Sequence, residues 1–112
     1  MPRSTELTEQ NFDEALLATE GLAMVDFWAP WCGPCRAVAP VLEEVAEASE
    51  GRVTLLKVNI DEQPGLAARY GVRSIPTILF VKDGAVVDRV VGAVPRRVLQ
   101  DHLDRAGGIM AQ

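Results

Sequence analysis

Cysteine is almost missing from this 112-residue chain, with only Cys32 and Cys35, three positions apart. A bridge between residues so close restrains the unfolded chain little, so a purely structural staple is a poor explanation for them. Histidine is scarcer still: His102 stands alone, far along the chain, and reads as a helix-surface residue without a catalytic role. No basic block exists; the net charge is -5 and Arg96-Arg97 is the one adjacent basic pair, which argues against nucleic acid or anionic membrane as a partner. No glycine-rich phosphate loop follows a strand, so no bound nucleotide cofactor is expected. No uninterrupted apolar run approaches membrane-spanning length. The first apolar run begins at Leu22 and contains Asp26, unlike a secretory leader, which makes a reducing, cytoplasmic setting the expectation.

What is present reads as one domain over 1–112, 48% hydrophobic and 24% charged, without repeats or a linker. Ser4 to Leu7 is a candidate edge strand, poor in β-branched residues. Thr8 is placed to cap a helix through Asn11, Phe12, Leu16 and Leu17 that Gly21 ends. Residues 22–28 are apolar on both alternation phases, as a central strand covered on both faces should be. A helix then runs from Pro34 to about Ser49, with Pro40 expected to kink it. Residues 53–60 form a second strand, and 61–70, with Pro64 and Gly65, a short helix or turn. Strands at 77–81 and 86–91 meet around Asp83-Gly84, a hairpin signal. Pro95 opens a last helix with Leu99, Leu103 and Ala106 on one face, terminated by Gly107-Gly108. The order strand, helix, strand, helix, strand, short helix, hairpin, helix implies an α/β fold with a mixed sheet of about five strands and about four helices.

The chemistry gathers at Trp31-Cys32-Gly33-Pro34-Cys35, where the strand ending at Trp28 hands over to a helix. A helix N-terminus offers unpaired N–H groups and partial positive charge, both of which favour a thiolate. Cys32, ahead of the helix, is the candidate nucleophile and should face solvent. Cys35, a turn inside, should be the more buried. Asp26 interrupts an apolar strand, and burial would raise its pKa toward neutrality, where it could pass a proton. Lys57 sits in the next strand, and whether it shares a face with Asp26 does not follow from the sequence. Glu43, Glu44, Glu47 and Glu50 read as a solvated acidic face.

These motifs resemble the thioredoxin family over about residues 8–106. The likeness rests on Val25-Asp26-Phe27-Trp28-Ala29, the Trp-Cys-Gly-Pro-Cys pentapeptide, Pro40, Lys57-Val58-Asn59-Ile60-Asp61, Tyr70-Gly71-Val72-Arg73, Ile75-Pro76-Thr77, Lys82-Asp83-Gly84 and Val91-Gly92-Ala93. The resemblance implies a thioredoxin fold and a general protein-disulfide reductase. It places Asp26 beneath Cys35, with Lys57 modulating that acid, and a cis Pro76 against the dithiol. It also implies a docking surface of Trp31, Gly33, Pro34, Ile75, Pro76, Gly92 and Ala93, where the Ile75 backbone would pair with an extended substrate. The implied partners are disulfide-containing client proteins and a thioredoxin reductase. No cofactor would be bound; electrons would come from NADPH through that flavoprotein. The protein would act as a monomer. Ser74, where many relatives have glycine, and Pro95, in place of a Ser/Thr-type cap, depart from the pattern.

Three other readings remain open on the residues alone. An oxidase or isomerase of the same fold would need a more oxidising dithiol. A binding module would use the surface without the thiols. Metal ligation would need two chains, since two thiols are half of a tetrahedral site.

Overall fold

The structure is a computed structural model and describes residues 4–107. Its elements are β1 (Ser4–Glu6), α1 (Phe12–Ala18), β2 (Leu22–Trp28), α2 (Gly33–Ala48), β3 (Val53–Asn59), α3 (Pro64–Arg69), β4 (Thr77–Lys82), β5 (Ala85–Val91) and α4 (Arg96–Gly107). The five strands form one sheet in the order β1-β3-β2-β4-β5, in which β2 runs parallel to β3 and antiparallel to β4.

β2 lies in the middle because its sequence suits no other place. Its first six residues are buried, and the two alternation phases feed separate cores. Leu22 and Met24 join Val38, Leu42 and Val45 of α2 and Leu99 and Leu103 of α4 on one face. Ala23, Val25 and Phe27 join Phe12 and Leu16 of α1 and Leu66 of α3 on the other. The sheet is thus covered by helices on both sides, the arrangement that a strand apolar on both phases demands.

The hairpin forms as expected: Asp83 and Gly84 take φ values of 53° and 81°, the left-handed pair that a tight turn between right-twisted strands prefers. A register shift between Phe80 and Val81 marks a bulge in β4–β5. α2 continues through Pro40 as one helix.

Four expectations change. α1 starts at Phe12, not after Thr8. The Thr8 N–H donates to Asn11 Oδ1 at 2.8 Å, while the Asn11 N–H lies 3.3 Å from Thr8 Oγ1, so these residues close a turn ahead of the helix. Gly21 does not end that helix, which stops at Ala18. Gly21 has φ +82° and lies so close to β3's approach that a Cβ would fall 2.7 Å from the Arg52 carbonyl oxygen. His102 is no free surface residue: its Nδ1 lies 2.6 Å from Asp88 Oδ2 on β5, and its ring stacks on Phe80 at 6.1 Å. The acidic face of α2 is partly paired, since Arg96 Nη1 donates to Glu44 at 3.3 Å. Gly108 lies outside the described residues.

Candidate active site

The two cysteines meet at the C-terminal end of β2. Cys32 is the N-cap of α2 with an extended backbone, and Cys35 lies in the first turn. They are joined as a disulfide, with Cα atoms 5.2 Å apart. The Cys35 N–H donates to Cys32 Sγ at 3.1 Å, so the sulfur occupies the place a Ser or Asp oxygen takes in an ordinary cap. When the bond is open, that N–H and the helix dipole both favour negative charge on Cys32. Pro34 fits the first turn, where its missing N–H costs nothing.

Cys32 was expected to be the open sulfur and Cys35 the covered one, but in the disulfide both residues are buried, at 4% and 2% exposure. Ala29 lies beneath them, and Trp28, Ile60 and Ile75 pack around them. Cys32 Sγ approaches the Ile75 carbonyl oxygen to 3.8 Å. A disulfide sulfur has no hydrogen to donate, so this is contact rather than a bond.

Asp26 is completely buried, and among the described residues neither carboxylate oxygen accepts a hydrogen bond. It faces the α2 side of the sheet, on the same alternation phase as Met24. Lys57 stands directly across in the β2–β3 register and does share that face; its Nζ is 4.0 Å from Asp26 Oδ2. Burial pushes the Asp26 carboxyl up to about 7; the Lys57 ammonium opposes that rise, and the Glu6 carboxylate adds to it. Lys57 Nζ also lies 4.8 Å from the Trp28 ring centroid, a cation–π contact.

The residues of the expected docking surface converge from three loops. Trp31, Gly33, Pro34 and Ala93 are exposed, while Ile75 and Gly92 are half-buried. Pro76 is buried behind them, so it supports the surface more than it presents it. The Ile75–Pro76 peptide is cis, and the Gly92 N–H donates to the Pro76 carbonyl at 2.8 Å, which ties the end of β5 to the start of β4. The Ser74 carbonyl accepts a hydrogen bond from Thr77 Oγ1 at 2.6 Å, closing this loop onto β4.

Sequence reasoning assigned no role to three neighbours. Asp61 holds Trp31, whose Nε1 donates at 3.0 and 3.2 Å to its two oxygens. Ile60 packs against the dithiol. Glu6 accepts from Trp28 Nε1 at 3.3 Å. Asp61 and Ile60 directly follow a strand that points at the site, a signal that was available; Glu6 left none, because only the β1–β3 register brings it near.

Comparison with known proteins bears on the whole chain. The Thioredoxin family model matches residues 3–105. The chain belongs to the thioredoxin family. It is 48% identical over 105 residues to Thioredoxin 1 of a Nostoc species, covering 94% of this chain and 98% of that one. It is 50% identical over 99 residues to Thioredoxin 2 of Chlorobaculum tepidum, covering 88% and 91%. With the thioredoxin of a Synechocystis species it shares 48% over 105 residues, covering 94% and 98%. The expected fold is therefore the observed one, and the protein is a thioredoxin-type thiol–disulfide oxidoreductase with a redox-active CxxC dithiol and a disulfide reductase role. Among the described residues no helix is long and apolar enough to cross a membrane.

Proposed function

We propose that Cys32 and Cys35 reduce protein disulfides in two steps, with Asp26 as the proton acceptor. The Cys32 thiolate attacks one sulfur of the client disulfide, forming a mixed disulfide and expelling the other client sulfur as a thiolate. The Cys35 thiol then gives its proton to Asp26, and its thiolate attacks Cys32 Sγ. The Cys32–Cys35 bond forms, and the second client sulfur leaves and is protonated. The dithiol loses two electrons and the client disulfide gains them.

The observation that carries this reading is the N–H of Cys35 held on Cys32 Sγ at a helix start. β2, the strand that leads into this helix, carries on its α2 face a buried acid whose pKa of about 7 lets it both take and release a proton. Lys57 modulates that acid. The client docks as an extended segment on Trp31, Gly33, Pro34, Ile75, Gly92 and Ala93, pairing with the backbone at Ile75, with Pro76 behind. A flavoprotein thioredoxin reductase returns the electrons from NADPH, and this chain itself binds no cofactor. The protein works as a monomer in the cytoplasm, with a single thioredoxin domain.

Two experiments test the division of labour. Turnover of a protein disulfide with NADPH and purified thioredoxin reductase should vanish with Cys32→Ser. With Cys35→Ser, client mixed disulfides should accumulate through Cys32; trapping through Cys35 instead, in a Cys32→Ser variant, would reverse the assignment.

A further inference from the structure

We propose that Glu6 is a positioning residue for the proton step at Asp26, acting from the opposite side of Lys57 through Trp28. The sheet register sets out the arrangement. Glu6 of β1 is the register partner of Lys57 in β3, and Lys57 is the register partner of Asp26 in β2. One ammonium therefore stands in a row between an exposed carboxylate at the sheet edge and a buried one at its centre. Adjacent partners in a parallel pair point to the same face, so the three side chains share the α2 side.

Trp28 links the row. The edge of its indole donates from Nε1 to Glu6 Oε1 at 3.3 Å, while its face carries Lys57 Nζ at 4.8 Å. Glu6 thus fixes the ring on which the ammonium rests. That seat leaves Lys57 at 4.0 Å from Asp26, at the limit of an ion pair and longer than a charge-assisted hydrogen bond. Glu6 has two effects on the acid. Its negative charge opposes ionisation of Asp26, and the ring that it holds seats Lys57 no closer than 4.0 Å. Both raise the affinity of the Asp26 carboxylate for a proton, which suits it to accept one near neutral pH. Among the described residues the charged groups acting on Asp26 are Lys57 from β3 and Glu6 from β1, and β4 sets the apolar Ile78 beside it.

The inference rests on Asp26 being the proton acceptor, so its test separates the two. Glu6→Gln keeps an acceptor for Trp28 Nε1 and removes the charge, whereas Glu6→Lys reverses the charge. Two quantities are read in each variant: the titration of the Asp26 carboxyl by carbon-13 NMR in the oxidised protein, and the pH–rate profile of disulfide reduction. The expected result is that both midpoints move to lower pH, by roughly 0.2–0.5 unit in Glu6→Gln, the scale of an exposed charge–charge interaction, and further in Glu6→Lys. KM for the protein disulfide should not change. If Asp26→Asn flattens the profile but neither Glu6 variant moves either midpoint, the inference about Glu6 is overturned alone. If Asp26→Asn leaves the profile unchanged, the Asp26 reading falls and takes this inference with it.

Discussion

Asp26 is a carboxylic acid that folding has taken out of water and left with one ammonium at 4.0 Å. Well below pH 3.8 the acid is neutral in both folded and unfolded chains. As pH rises from 3.8 toward about 7, the unfolded chain ionises and the native one resists, so native stability falls across that window and then levels off. The full shift amounts to roughly 4 kcal/mol. Asp26→Asn removes this penalty, so urea unfolding should find the variant more stable than wild type by up to that amount at pH 8, and nearly equal at pH 4. A gap that widened toward acid would contradict the direction of the shift. Trp31 poses a separable question at the same scale. It is 65% exposed, and its indole N–H is held by Asp61. Asp61→Ala should free the ring to sample other rotamers and raise KM for protein disulfides several-fold, with the pH midpoint unmoved.

Elements show where local sequence signals succeed and fail. β2 and α2 were legible because their patterns are extreme: a strand apolar on both phases, then proline in a first helical turn. The start of α1 differs from the expectation because Asn11, read as part of the helix, is its N-cap, although Thr8 is also a cap-type residue. The choice between them turns on contacts to a distant loop: the Glu9 N–H donates to Gln63 Oε1 at 2.9 Å, and the Gly65 N–H to Glu9 Oε2 at 2.7 Å. No local pattern encodes those. α4 hid a similar link. Its periodicity revealed the buried Leu99 and Leu103 but not the grip of His102 on Asp88 across to β5. His102→Ala loses that hydrogen bond and the stack on Phe80, and should lower stability by about 1–2 kcal/mol at pH 7, read from the urea midpoint. Asp88 has its carboxyl held below the usual range: burial works against this, and the His102 and Arg89 hydrogen bonds outweigh it. Its contribution is therefore present at neutral pH and fades as pH falls through the carboxylate range.

Across the whole molecule, composition and element order led to a mixed sheet between helical layers, and the pentapeptide to a dithiol. What they could not supply was register. Whether Lys57 faces Asp26, and whether Glu6 comes near either, depends on which residue stands beside which in strands whose partners lie 31 and 51 positions apart along the chain. A one-residue slip would turn Lys57 to the other face and leave Asp26 without its ammonium. Gly21 guards that register at the point where β2 enters. The Leu22 N–H bonds the Arg52 carbonyl at 3.1 Å, and a Cβ on Gly21 would strike the same oxygen. Gly21→Ala should therefore cost about 1–3 kcal/mol in urea unfolding, with the larger part arising from the left-handed backbone.

β1 is three residues long and pairs on one side only. Strands held by so few bonds open by themselves long before a sheet unfolds, on a free-energy scale well below the global one. Each such opening lifts Glu6 off Trp28 and leaves Asp26, Lys57 and the dithiol where they were. The proton affinity of the buried acid is then a population average over docked and lifted β1. Anything that grips or crowds the first strand should therefore shift that average, and with it the midpoint at which Asp26 titrates.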